Sequence, residues 1–182
     1  SGEASIGPVT GNAVLEIPLS KGKSSLMVGG RATYSDWILK ALDDEQLQNS
    51  EASFYDIIAK YDQVINENNS IEATGYYSQD AFSVTSDSIF DYSNLLASIK
   101  WNHQFNESNS LGLVFSNSSY GFGITYDGQS NSNFKLRYKN NEIGVKAKMK
   151  SILNPRHTLD YGIAGKLYDV DPGRIEPEGP DS

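Results

Sequence analysis

The sequence predicts an all-β chain, an antiparallel β-barrel wall of the transmembrane kind with about eight strands. Three observations carry that expectation. Apolar and polar residues alternate with period two, the pattern of a strand whose successive side chains leave on opposite faces. The alternating arms run to about a dozen residues, roughly twice the usual strand of 5–6 residues. Short polar turns also take turns with longer polar connections, the layout of a barrel with one tight rim and one looped rim.

Taken in order, Ala13, Leu15, Ile17 and Leu19 oppose Asn12 and Glu16, and Pro18, which cannot donate to a ladder, marks the arm's end. Ser20-Lys21-Gly22-Lys23 is a tight turn. The next arm sets Leu26, Val28, Gly30, Ala32 and Tyr34 against Ser25, Arg31, Thr33 and Ser35, with Trp37 near its far end and a polar connection over 43–53. The long hairpin 54–82 follows. Tyr55, Ile57, Ala59, Tyr61 and Ile65 alternate with Asp56, Lys60 and Asp62; after the polar turn 66–70, Ile71, Ala73, Gly75 and Tyr77 alternate with Glu72, Thr74 and Ser78.

A long connection is expected over 87–93. Beyond it Leu95, Ala97, Ile99, Trp101 and Phe105 oppose Ser98, Lys100, Asn102 and Gln104, with a turn over 106–110. Leu111, Leu113 and Phe115 continue, and then the parity changes through 116–128, which predicts a bulge or a rise beyond the membrane edge. After a connection over 127–132, Phe134, Leu136 and Tyr138 alternate, Asn140-Asn141-Glu142 interrupts, and Ile143, Val145, Ala147 and Met149 resume opposite Lys146, Lys148 and Lys150. A turn over 153–157 leads to Leu159, Tyr161, Ile163 and Leu167 against Asp160 and Lys166, and a Pro/Gly/acidic segment over 169–182 closes the sequence.

These faces assign surfaces. The lipid-facing set is Ile57, Ala59, Ala73, Ala97, Ile99, Val145, Ala147 and Ile163. The lumen-facing set is Arg31, Asp56, Lys60, Asp62, Glu72, Lys100, Lys146, Lys148, Lys150, Asp160 and Lys166, because a charge on the lipid face at mid-depth costs about 2–4 kcal/mol. An aromatic girdle takes Tyr34, Trp37, Tyr55 and Tyr77 at the outer rim and Trp101 and Phe105 at the inner one. Tyr76, Phe82, Phe90 and Tyr92 are either belt and loop packing or a stacking surface for a ligand.

Composition removes other classes. A net charge of -8 excludes the basic footprint of a general nucleic-acid binder. There are no cysteines, so neither disulfides nor thiolate metal sites arise. No apolar run approaches the roughly 18 residues of a membrane helix, which says nothing against a barrel. The first residues have neither the basic start nor the apolar core of a signal peptide, so a leader is expected to have been removed or the sequence to begin inside a longer protein.

Catalytic chemistry is not in evidence either. His103 and His157 lack companions at ligand spacing and read as rim residues. Gly121-Phe122-Gly123 has no third glycine or following helix, and no nucleophile elbow occurs. The acids Asp43, Asp44 and Glu45, like Asp169, Asp171, Glu176 and Glu178, read as solvated loops rather than calcium sites. Asn68-Asn69-Ser70, Asn106-Glu107-Ser108 and Asn117-Ser118-Ser119 match the glycosylation pattern and signify only polar turns in a bacterial outer membrane. No enzyme and no cofactor are expected.

Lys21-Gly22-Lys23 followed by 29–37 (GGRATYSDW), then Phe54-Tyr55-Asp56, Lys60, the asparagine-rich turn, 75–80 (GYYSQD), and Asn94-Leu95-Leu96-Ala97 with Trp101-Asn102-His103, resemble the barrel region of TonB-dependent outer-membrane receptors of the Bacteroidetes type. The resemblance is most specific over 24–105. It implies a 22-stranded barrel around a plug domain, importing a scarce nutrient across the bacterial outer membrane with inner-membrane energy. Residues 1–182 are then expected to be a partial barrel of four hairpins, without the plug. The partners implied are the lipid bilayer, the rest of the barrel and its plug, the TonB energising complex acting on the full-length receptor, and a surface lipoprotein as a further candidate, with no nucleic acid. Two alternatives stay open: a complete small outer-membrane barrel with a structural or adhesive role, and a soluble β-barrel binding protein.

Overall fold

The computed structural model describes residues 1–34, 51–85, 88–126 and 133–177 and folds them into a single antiparallel sheet of nine strands. The strands are β1 (Gly2–Ile6), β2 (Thr10–Ser20), β3 (Ser24–Thr33), β4 (Glu51–Asn66), β5 (Asn69–Thr85), β6 (Ser88–Asn106), β7 (Asn109–Tyr126), β8 (Phe134–Asn154) and β9 (His157–Pro177). Each pairs with its sequence neighbours, in the order β1 to β9. No helix occurs among the described residues. The β-branched and aromatic residues that fill alternate positions suit a pleated surface, and Gly22, at φ 69°, supplies the left-handed residue of the β2–β3 turn.

The structure departs from the sequence reading at several places. The strand beyond the expected eight is β1, five residues too short for alternation to show. The expected connection 87–93 is largely strand, since β6 begins at Ser88 and pairs with β5 as far as Phe90 opposite Phe82. No bulge accompanies the parity change after Phe115. β7 stays in continuous register with β8 from Asn109 to Tyr126, so the apolar residues change face while the backbone runs straight. Nor do Asn140-Asn141-Glu142 interrupt β8. The terminal segment is strand as far as Pro177, and its irregularity is local: β9 carries an extra residue between Asp171 and Arg174, with Gly173 at φ 92° and its N–H donating to Asp171 Oδ1 at 3.1 Å.

Three of the hairpin turns share one construction. Asn66, Asn106 and Asn154 each accept, through Oδ1, the backbone N–H two residues on, at 3.0 Å in all three. This is the Asx turn by which asparagine imitates a backbone turn. Each hairpin is also stitched to the next: Lys23 O accepts from Val64 N, Asn68 O from Gln104 N and Ser108 O from Ile152 N, at 2.7–2.8 Å.

That stitching sets a constant stagger. Ser24 lies opposite Gln63 and hence Ile71, two residues past the start of β5. Asn69 leads likewise through His103 to Leu111, two past the start of β7, and Asn109 through Ser151 to Leu159, two past the start of β9. Two residues in two strands is one residue per strand. With about 3.4 Å per residue and 4.8 Å between strands, turns held on one level require strands tilted by about 35°. Barrel strands tilt by about 35–45°.

A sheet of this size ordinarily buries one face against a second layer. Among the described residues no hydrophobic side chain is buried, and Ile57, Ile99 and Val145 remain 52%, 54% and 55% exposed.

Candidate functional site

The functional surface is the sheet itself, and register decides what shares each face. Following the pairings from β4 to β9, Tyr61, Ala73, Ile99, Phe115, Val145 and Gly165 form one row; Ala59, Gly75, Ala97, Asn117, Ile143 and Leu167 form the next. These rows, with Ile57 above and Ala147 and Ile163 below, bring all eight residues of the expected lipid-facing set onto one face. Along β6 the apolar run Leu95 to Phe105 is ten residue steps. That is about 34 Å of strand and about 28 Å of height at a 35° tilt, close to the ~25 Å apolar band of an outer-membrane barrel.

The upper edge of this band slants across the sheet. The row that reads Ile57, Tyr77, Leu95 in β4, β5 and β6 continues as Ser119, Asn141, Asp169 in β7, β8 and β9. An apolar-to-polar boundary that falls towards β9, in the direction of the turns, is level once the strands are tilted. A packed core has no reason to follow that line; a planar solvent boundary does.

Aromatic residues stand at both edges of the apolar face. Tyr55 and Tyr77 have ring centroids 5.9 Å apart, and both hydroxyls donate to Gln79 Oε1, at 2.8 and 3.1 Å. Rings on the apolar side with hydroxyls turned to an amide are what an interfacial belt asks of tyrosine. At the other edge His103 lies between Trp101, at 5.5 Å, and Phe105, at 4.5 Å edge-on. Asn69 Oδ1 accepts the indole N–H of Trp101 at 3.1 Å and lies 2.9 Å from His103 Nδ1. Tyr34 donates its hydroxyl to the carbonyl oxygens of Gly7 and Thr10, tying the end of β3 to the β1–β2 turn. Trp37 lies outside the described residues.

The opposite face gathers the expected lumen set. Arg31 pairs with Asp56 at 2.7 Å, Lys60 with Glu72 at 3.0 Å and Asp62 at 3.6 Å, Lys148 with Asp160 at 3.3 Å, and Lys166 with Glu142 at 2.9 Å. Lys100, Lys146 and Lys150 share that face by register. Exposed pairs of this kind contribute about 0–1 kcal/mol each, so they mark a wet surface rather than hold the sheet together.

Towards the outer ends, this second face becomes aromatic. Phe82 stacks on Phe90 at 5.0 Å and on Tyr92 at 6.1 Å, and Tyr92 meets Phe122 at 5.0 Å. Tyr120 approaches Tyr138 at 6.3 Å, Tyr126 approaches Phe134 at 5.4 Å, and the Arg31 guanidinium lies 5.1 Å from the Phe54 ring centre. This ladder sits on the ionic face, opposite the girdle tyrosines. The sequence reading isolated Tyr76, Phe82, Phe90 and Tyr92; it saw Tyr138 only as part of an alternating arm and missed Tyr120 and Phe122, whose period-two signal lay in the reversed phase. Among the described residues no three His, Asp or Glu side chains cluster as a metal site.

Faces, tilt and turns together define an antiparallel barrel wall. A ferric preacinetobactin receptor from Acinetobacter baumannii, BauA, shares the fold at a TM-score of 0.65 and 9% identity, over 92% of this chain. The chain spans 29% of that protein. No family model and no curated protein matches the sequence.

Proposed function

We propose that the chain is part of the wall of a TonB-dependent receptor in a bacterial outer membrane, which takes up a scarce nutrient through the full-length barrel. The observation that carries this reading is the slanted boundary between Leu95 and Ser119 on a sheet with no buried apolar core among its described residues. Among the described residues β1 and β9 each pair on one side only, which favours further wall strands beside them over closure of these nine. The apolar face then meets lipid, the ionic face meets the water-filled interior, and the aromatic ladder lies towards the outer mouth. A plug, the energising complex and a surface lipoprotein are partners of the whole receptor in this reading.

The test is made in the host. The gene product is expected in the outer-membrane fraction, and its deletion is expected to slow growth on at least one limiting nutrient among ferric siderophores and sugars, with the same defect in a strain lacking TonB. Recovery in the soluble fraction, or no shared defect, contradicts the proposal.

A further inference from the structure

Near the tight-turn rim, the ionic face holds a hollow of about 680 Å³ whose lining includes Lys100, Lys146, Lys148 and Lys150. Its floor is Gly112, paired with Asn102 on one side and Lys148 on the other, where the missing side chain leaves the depression open. Glu67 and Asp160 are the lining acids, so the hollow carries four positive against two negative charges, a local excess of +2 in a chain of net charge -8. Asp160 is engaged by Lys148 at 3.3 Å. Lys100, Lys146 and Lys150 have no carboxylate partner among the described residues.

The spacing of these lysines identifies what fits them. Lys146, Lys148 and Lys150 follow one another at every second position of β8, so their attachment points repeat at about 6.8 Å and extend over about 14 Å. Flexible lysine stems let two neighbouring ammonium groups converge on one phosphate or carboxylate, but an anion that meets all three where they stand must itself be extended. An extended polypeptide with an acid at every second residue has the same repeat. Beside the lysines, β9 sets Ala164, Gly162 and Asp160 opposite Lys146, Lys148 and Lys150, and β7 sets Val114, Gly112 and Ser110 opposite the same three, so small residues leave room for a backbone at Lys148 while Asp160, engaged by Lys148, leaves Lys150 without an ion pair among the described residues.

We infer that this hollow is a docking trough for an acidic, extended polypeptide segment lying along β8 on the interior face of the wall. The inference rests on the barrel reading, which encloses this face, and it adds the chemistry of what seats there. Paired acids supply the charge that Lys100, Lys146 and Lys150 lack, through hydrogen bonds in which both partners are ionised.

The chain refolded in zwitterionic detergent is titrated into a fluorescent hexaglutamate peptide, read by anisotropy at low ionic strength. Binding is expected, weakened at least tenfold by the triple change Lys146→Gln, Lys148→Gln, Lys150→Gln and by 0.5 M salt. Lys166→Gln, on the same face but outside the hollow, is expected to leave it within twofold. Strand circular dichroism and heat-modifiable migration confirm that the variants fold. Equal binding by the triple variant, no binding by the parent chain, or displacement by tripolyphosphate with no affinity for hexaglutamate overturns the trough. A chain that needs detergent yet ignores the peptide removes this inference alone; a chain soluble and monomeric without detergent removes the barrel reading itself.

Discussion

Replacing Ile99 with arginine is expected to cost about 2–4 kcal/mol in the stability of the refolded chain, the penalty for a cation at mid-depth on a lipid-facing strand. Ile99 is the central apolar residue of β6, with Ala73 and Phe115 beside it and Ala97 and Trp101 above and below on the same face. One residue away, Ser98 lies on the opposite face, between Thr74 and Ser116. Ser98→Arg meets water there and is expected to change stability by no more than about 0.5 kcal/mol. Urea titrations of both variants in lipid vesicles compare them directly. A buried-core account gives a different result, because Ile99→Arg then unfolds the chain in detergent-free buffer as well.

Gly162→Val is expected to have the second largest effect. A Cβ at Gly162 stands 2.3 Å from the carbonyl oxygen of Ala147 and 3.1 Å from the Cα of Lys148, both backbone atoms of β8. Backbone cannot swing aside as a lysine tip does, so β8 and β9 must part locally, at about 1–3 kcal/mol. Gly165, three residues on, meets nothing within 4 Å, and Gly165→Val on the apolar face is expected to be neutral or mildly stabilising. Thermal or urea unfolding of the pair distinguishes them; equal losses at both positions contradict the register drawn for β8 and β9.

Much of the fold was legible because one signal, period two, reports strand, face and solvent together. It placed Ile57, Ala97, Ile99, Val145 and Ile163 on a single face before any pairing was known, and it put Lys60, Lys100 and Lys146 on the other. The signal fails where the solvent changes. Above Leu95 and Phe115 the apolar residues move to the opposite face, as Phe90, Tyr92, Phe122 and Ile124 show. A reader holding one phase constant takes that reversal for a loop or a bulge. Small and acidic residues add to the confusion: Asp91 looks like turn chemistry, yet its carboxylate lies over Gly123, whose lack of a side chain accommodates it.

The constant stagger was hidden for another reason. It is a relation between hairpins, carried by Asn68 O to Gln104 N and Ser108 O to Ile152 N, and no single arm contains it. The repeated asparagines at 66, 106 and 154 were visible in the sequence, but only the register shows that each sets its turn one step further along the same slope.

The central claim concerns solvent, and the absence of cysteine makes it directly measurable, since any single cysteine introduced is unique. Spin labels placed one at a time from Ala97 to Lys100, and at Ser119 and Asn141, in lipid vesicles report collision with oxygen, which concentrates in lipid, and with a nickel chelate, which stays in water. Oxygen accessibility is expected to peak at 97 and 99 and nickel accessibility at 98 and 100, with 119 and 141 reached by nickel although they share the face of Ile99. Labels at 97 and 99 shielded from both reagents, or the two profiles in phase, would contradict the account.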